Sequence, residues 1–142
     1  MPEARVLVVD DEPFIARILT FALEREGYAV ATASDGDEAI ELAVGWCPDV
    51  ILLDVMMPKR NGLDVCRALR ADRSIARQPH IIVLTARGQE VDRLQADEAG
   101  VDAFVTKPFS PTRLLGQVRE ALGQTSDLVA DRGLDAPRLR TS

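Results

Sequence analysis

Short, wholly apolar runs alternate along the chain with longer stretches in which apolar residues recur every three or four positions. Val6 to Val9, Val50 to Leu53 and Ile81 to Leu84 are apolar at every position. A strand with one face in water alternates apolar and polar residues, so an uninterrupted run predicts a strand covered on both faces. Ala29 to Ala33 and Ala103 to Thr106 read as weaker strands. Helical spacing covers about Pro13 to Glu26, Gly36 to Trp46, Gly62 to Asp72, Gln89 to Ala99 and Ser110 to Leu122. In the last of these, Leu114, Leu115, Val118 and Leu122 fall on one stripe. Gly27 and Gly100 follow helices where a left-handed C′ residue is common. Ser110 and Pro111 suit an N-cap and the first helical position, where a missing N–H costs nothing.

Strand and helix thus alternate five times, which predicts an α/β fold, a doubly wound (βα)₅ parallel sheet of the flavodoxin-like kind. The expected strand order is 2-1-3-4-5. Residues 1–124 form the expected domain. Residues 125–142 lose periodicity, mix Asp, Arg, Gly and Pro, and read as a linker or disordered tail with no room for a second domain.

Composition narrows the function. Of 142 residues, 46% are hydrophobic and 28% charged, an ordinary balance for a soluble domain. A net charge of −6 argues against direct nucleic-acid binding, which needs a basic face. No apolar run approaches the length of a membrane span, and the first residues lack a secretory pattern, so a cytoplasmic location is expected. Cys47 and Cys66 show no metal-type or C-x-x-C spacing; both are expected to be buried packing residues rather than a disulfide.

In open α/β sheets, ligands sit beyond the carboxyl ends of the strands, where strand order reverses. The first strand ends in Asp10, Asp11 and Glu12, the third in Asp54, the fourth in Thr85 and Ala86, and the fifth in Lys107 and Pro108. Each alone has an ordinary explanation as a cap, a solvated turn or a surface charge. Their convergence on one edge does not. Clustered carboxylates disfavour one another's ionisation unless a cation intervenes, and hard oxygen ligands suit Mg²⁺. An Asp carboxylate beside such an ion is a competent phosphoryl acceptor. Lys107 offers a point charge for a phosphate oxygen, Thr85 a hydroxyl, and Ala86 an unobstructed approach. A cis peptide bond at Lys107–Pro108 would turn the chain so as to aim that lysine at the pocket.

The segments VLVVDDE, PDVILLDVMMPKRNG, IIVLTA and GVDAFVTKPFSP occur in this order over about residues 4–122. Together they resemble the response regulator receiver (CheY-like) family of two-component signalling. The resemblance implies that Asp54 accepts a phosphoryl group from a sensor histidine kinase or phosphotransfer protein. It further implies that Mg²⁺ is held by Asp11, Asp54, the Met56 backbone carbonyl and, through water, Asp10. Lys107 corresponds to the family's phosphate-sensing lysine, and Thr85 and Phe104 to its switch pair. Pro58 and Gly62 fit the loop after the acceptor. Phosphorylation would draw Thr85 inward, let Phe104 turn in, and alter the surface of the fourth helix, fifth strand and fifth helix. Without the resemblance, Phe104 reads as a core aromatic.

The wording LTARGQEVDR and KPFSP is closest to OmpR/PhoB-type receivers, which dimerise through that surface with cross-subunit charge pairs. Here Arg93 would face Arg113, with Ala103, Gln117 and Gln124 at positions where charge is usual. Like charges oppose such a contact, so a phosphorylation-linked homodimer, if formed, is expected to use other contacts. A single-domain regulator acting on a downstream protein is favoured over a receiver whose output domain is missing. A phosphorylation-independent scaffold is the alternative function. A haloacid-dehalogenase-type phosphatase is disfavoured because Met56 stands where a second acid is required, and a nucleotide or flavin binder because no glycine-rich phosphate loop follows the first strand. The chain is expected to be a signalling module that catalyses only its own phosphoryl transfer and hydrolysis. Met56 and Arg87 would shape access for the hydrolytic water. His80, the only histidine, lies at the far end of the sheet.

Overall fold

A computed structural model describes residues 3–57, 59–86 and 93–123. Strands β1 (Arg5–Val9), β2 (Ala29–Ala33), β3 (Val50–Asp54), β4 (His80–Ala86) and β5 (Ala103–Lys107) alternate with helices α1 (Pro13–Arg25), α2 (Gly36–Trp46), α3 (Gly62–Ala71), α4 (Arg93–Ala99) and α5 (Pro111–Ala121). All pairings are parallel, and the sheet order is β2-β1-β3-β4-β5, as the alternation implied.

The unbroken apolar runs follow from coverage of both sheet faces. Leu7, Val9, Ile51, Leu53, Ile81 and Val83 point into a core with α2, α3 and α4. The intervening Val6, Val8, Val50, Leu52, Ile82 and Leu84 point into a second core with α1 and α5. All twelve are fully buried. Each such side chain contributes roughly 1.5–3 kcal/mol of transfer free energy, which holds the strands in register and so fixes where their ends lie.

Helices α2, α3 and α5 are capped by side chains, while α1 opens on Pro13 with no side-chain cap. Asp35, Asn61 and Ser110 accept hydrogen bonds from the backbone N–H groups of Glu38, Asp64 and Arg113. Gly27 and Gly100 take the left-handed backbone expected of them, with φ of 93° and 89°. A second polar centre holds the opposite end of the sheet. The Arg70 guanidinium donates to the carbonyls of Gly100 and Pro79, to Gln78 Oε1 and to Asp102 Oδ2. It thereby ties α3 to both loops that enter β4 and β5.

One of the two cysteines departs from expectation. Cys66 is buried in the core, and burial pushes its thiol up to about 11. Cys47 is exposed instead. Helix α2 ends at Trp46, and Cys47 caps it with left-handed backbone (φ 53°), which places its side chain on the rim rather than in the core. The helix expected from Gln89 is described from Arg93; its first residues, Pro58, Arg87, the Arg93 side chain and residues 124–142 lie outside the described residues.

Candidate functional site

The carboxyl ends of β1, β3, β4 and β5 meet at one edge. Asp10 follows Val9, whose neighbour in β3 is Leu53, so Asp10 and Asp54 emerge side by side. Asp54 pairs with Leu84, which puts Thr85 one residue beyond, and Ala86 pairs with Lys107. The sequence-predicted residues are therefore assembled by register alone.

Carboxylate oxygens of Asp10, Asp11 and Asp54 all lie within 4.8 Å of one another. Asp10 and Asp54 are buried and Asp11 is exposed. Lys107 Nζ stands 3.1 Å from Asp10 Oδ2, 3.4 Å from Asp54 Oδ2 and 3.7 Å from Glu12 Oε1. The free oxygens are partly engaged: the Glu12 N–H donates to Asp10 Oδ1 at 2.9 Å and the Met56 N–H to Asp54 Oδ1 at 3.2 Å. Three aspartates and Glu12 against one amine leave an excess of negative charge in a half-enclosed space. Burial raises the Asp54 pKa; Lys107 opposes that rise and the Asp10 charge reinforces it. Burial works to lower the Lys107 pKa, but its contacts with Asp10 and Asp54 outweigh it and hold the ammonium form more firmly than usual.

The donor set fits a hard divalent cation. Mg²⁺ takes oxygen ligands at about 2.0–2.1 Å, so opposite ligands span roughly 4 Å, close to the spread of the three carboxylates. The positive charge also matches the local excess.

Thr85 is buried. Phe104 is half-buried against the α2–α3–α4 core, on the sheet face that carries Val83. The β5 neighbour of Thr85 is Thr106, two residues beyond Phe104 and on the same face, so Thr85 and Phe104 stand diagonally across adjacent strands. A groove of about 330 Å³ runs beside Phe104, between β5 and α5, and is lined also by Pro108, Phe109, Arg113 and Gln117. Lys107–Pro108 is cis, as expected. The Met56 side chain is 63% exposed at the mouth of the pocket, with Phe14 at 70% nearby in sequence to the acids. His80 lies at the other end of the sheet, 4.0 Å from Asp102.

Sequence reading placed Gly62 in the loop after Asp54 but missed the packing that supports Asp54. A Cβ on Gly62 would meet the Asp54 carbonyl oxygen at 2.5 Å, so only glycine lets α3 start against Asp54. Gly36 meets Arg60 in the same way, and Lys59 and Arg60 pair with Asp35 and Asp37. The paired helix-opening glycines of DGDE and NGLD were the available signal.

A sheet of this order with acids at its switch point has the layout expected of a receiver domain. Residues 6–119 match the response regulator receiver domain, and the chain belongs to that family. It is 45% identical over 124 residues to the transcriptional regulatory protein ResD of Bacillus subtilis, covering 87% of this chain and 50% of that one. It is 42% identical over 127 residues to the DNA-binding response regulator MtrA of Mycolicibacterium smegmatis, covering 89% and 54%. The chain thus spans about half the length of these curated relatives. The crystal structure of a putative response regulator from Chloroflexus aurantiacus superimposes with a TM-score of 0.78 at 31% identity, over 87% of this chain and 100% of that one. Among the described residues, no helix is long and apolar enough to cross a membrane.

Proposed function

We propose that the chain accepts a phosphoryl group from a histidine kinase or phosphotransfer protein onto Asp54 and changes its α4–β5–α5 surface in response. The observation that carries this reading is the juxtaposition of Asp54 with Asp10, Asp11 and Lys107 in one pocket. In transfer, a carboxylate oxygen of Asp54 forms a bond to phosphorus while the phosphorus–nitrogen bond of the donor breaks, its electron pair leaving with the imidazole. Lys107 supports the ionised nucleophile and then a phosphoryl oxygen, a role its fixed charge suits. Asp11 and Asp54, with the Met56 carbonyl and Asp10 through water, would hold Mg²⁺. When bound, this ion offsets the charge that develops on the phosphoryl oxygens. Enclosure by the buried strand ends limits competing water.

The new acyl phosphate adds charge and acceptor oxygens beside Thr85. Its hydroxyl turns toward them, and Phe104 follows into the vacated space on the same sheet face. The groove between β5 and α5 changes with it, which supplies a surface for a downstream protein or an output domain. The names of the relatives, transcriptional and DNA-binding regulators, favour an output of that kind.

Incubation with Mg²⁺ and a small phosphodonor, read by intact mass, tests the proposal. Wild type gains one phosphoryl group and Asp54→Asn gains none. A wild type that gains none, or an Asp54→Asn variant that gains as much, would reject it.

A further inference from the structure

The connection between β3 and α3 carries Met56, and the structure shows it gripped from outside the pocket. Gly62 N–H donates to the Val55 carbonyl at 2.8 Å, which closes the base of this connection. Its outer side leans on α2. A Cβ on Gly36 would fall 2.7 Å from Arg60 Cβ and 3.1 Å from the Arg60 carbonyl oxygen. The first residue of α2 therefore touches the connection with nothing between them. Two ion pairs span the same seam. Lys59 Nζ lies 3.5 Å from Asp35 Oδ2, and Arg60 Nε donates to Asp37 Oδ1 at 2.9 Å. Lys59 holds a left-handed backbone (φ 71°), unfavourable for a non-glycine residue unless its surroundings impose it. The acidic side is itself fixed. Asp35 accepts from the Glu38 N–H, and Glu38 Oε1 accepts from the Ser34 N–H and hydroxyl.

These pairs are exposed, and exposed pairs contribute little to global stability. Their number and placement, together with a glycine contact that admits no side chain, have another consequence. They define where the Lys59–Arg60 segment sits, and so the position of the backbone that leaves the acceptor. Groups that support a metal ligand from behind tune the affinity of the site they never touch.

We propose that the start of α2 is a positioning clamp: Asp35, Gly36 and Asp37, acting through Lys59 and Arg60, set the Mg²⁺ affinity of the acceptor pocket. This rests on the functional reading above. None of the five is a metal ligand; each is a positioning residue.

The test is isothermal titration of Mg²⁺ into wild type, Gly36→Ala, Asp37→Arg, Arg60→Asp and the Asp37→Arg/Arg60→Asp double variant, with metal-free thermal unfolding of each. Gly36→Ala and both single reversals are expected to weaken Mg²⁺ by about tenfold, the lower end of the loss seen when a supporting group is removed. The double reversal is expected to return close to wild type. The two single reversals change net charge in opposite directions, so a shared loss cannot arise from the field on the cation. A purely structural role would move the unfolding temperature and not be rescued in affinity. Should Gly36→Ala fail to fold, the reversal pair decides alone. Folded single reversals that bind Mg²⁺ as wild type does, or a double variant as weak as the singles, would overturn the clamp only. A wild type that takes up no Mg²⁺ would overturn the functional reading with it.

Discussion

Gly62→Ala separates the two demands placed on the first residue of α3. In a helix, Ala is favoured over Gly by roughly 0.8–1 kcal/mol, so propensity alone predicts a stabler protein. The contact geometry predicts the reverse. The new Cβ would lie 2.5 Å from the Asp54 carbonyl oxygen, 3.0 Å from Val55 Cα and 3.2 Å from the Asp54 carbonyl carbon. All three are backbone atoms, so no side chain can rotate away, and ordinary contact requires a displacement close to an ångström. Forcing atoms into a packed site costs about 1–3 kcal/mol, which leaves a net loss of up to about 2 kcal/mol after the propensity gain. The effect on chemistry is larger, because a misplacement of about 1 Å at reacting atoms costs on the order of 10²-fold. Gly45→Ala is the control, since its Cβ meets nothing within 4 Å and it also lies in a helix. Urea unfolding and phosphorylation time courses by intact mass would compare the two. Gly45→Ala is expected to be stabler by about 1 kcal/mol and fully reactive. Gly62→Ala is expected to be less stable and about a hundredfold slower. A Gly62→Ala protein that gains stability and reacts at the wild-type rate would refute the close-approach argument.

Three further outcomes are expected. Burial raises the Asp54 pKa, so its contribution to stability is fully present below the unfolded value of 3.8 and is lost as pH rises through the higher folded value. Metal-free Asp54→Asn should therefore be stabler than wild type at neutral pH, with the gap closing in acid; equal stability at neutral pH in urea titrations would contradict this. Arg70→Lys should cost roughly 1–3 kcal/mol, because an ammonium cannot reproduce the fork that joins Gly100, Pro79 and Asp102, and unchanged thermal unfolding would remove that role. Met56 offers no group to orient a hydrolytic water, so phosphate should be lost over minutes or longer, and a half-life of seconds by intact mass would show otherwise.

The strands were legible because Val6–Val9, Val50–Leu53 and Ile81–Leu84 are sandwiched, and two-sided burial leaves an unbroken apolar signature. The pocket was legible for a related reason: once the order is known, every strand end points to one edge, and Asp10, Asp54 and Lys107 are simply the residues found there. Contacts between surfaces far apart in sequence were not. Arg70 looks like any helical arginine until Gly100 and Asp102 are brought to it across a whole βα unit. Nothing local marks Arg60 as the partner of Asp37. The exposure of Cys47 depended on a left-handed cap one residue after α2, a boundary finer than periodicity resolves.

The ammonium group of Lys107 reaches Asp10 across a sequence separation of 97 residues. The acids are contributed by the earlier part of the chain and, among the described residues, the amine that faces them by its last strand. During synthesis, a growing polypeptide therefore carries the acidic residues long before their counter-charge. The pocket is consequently complete only once the final βα unit has docked.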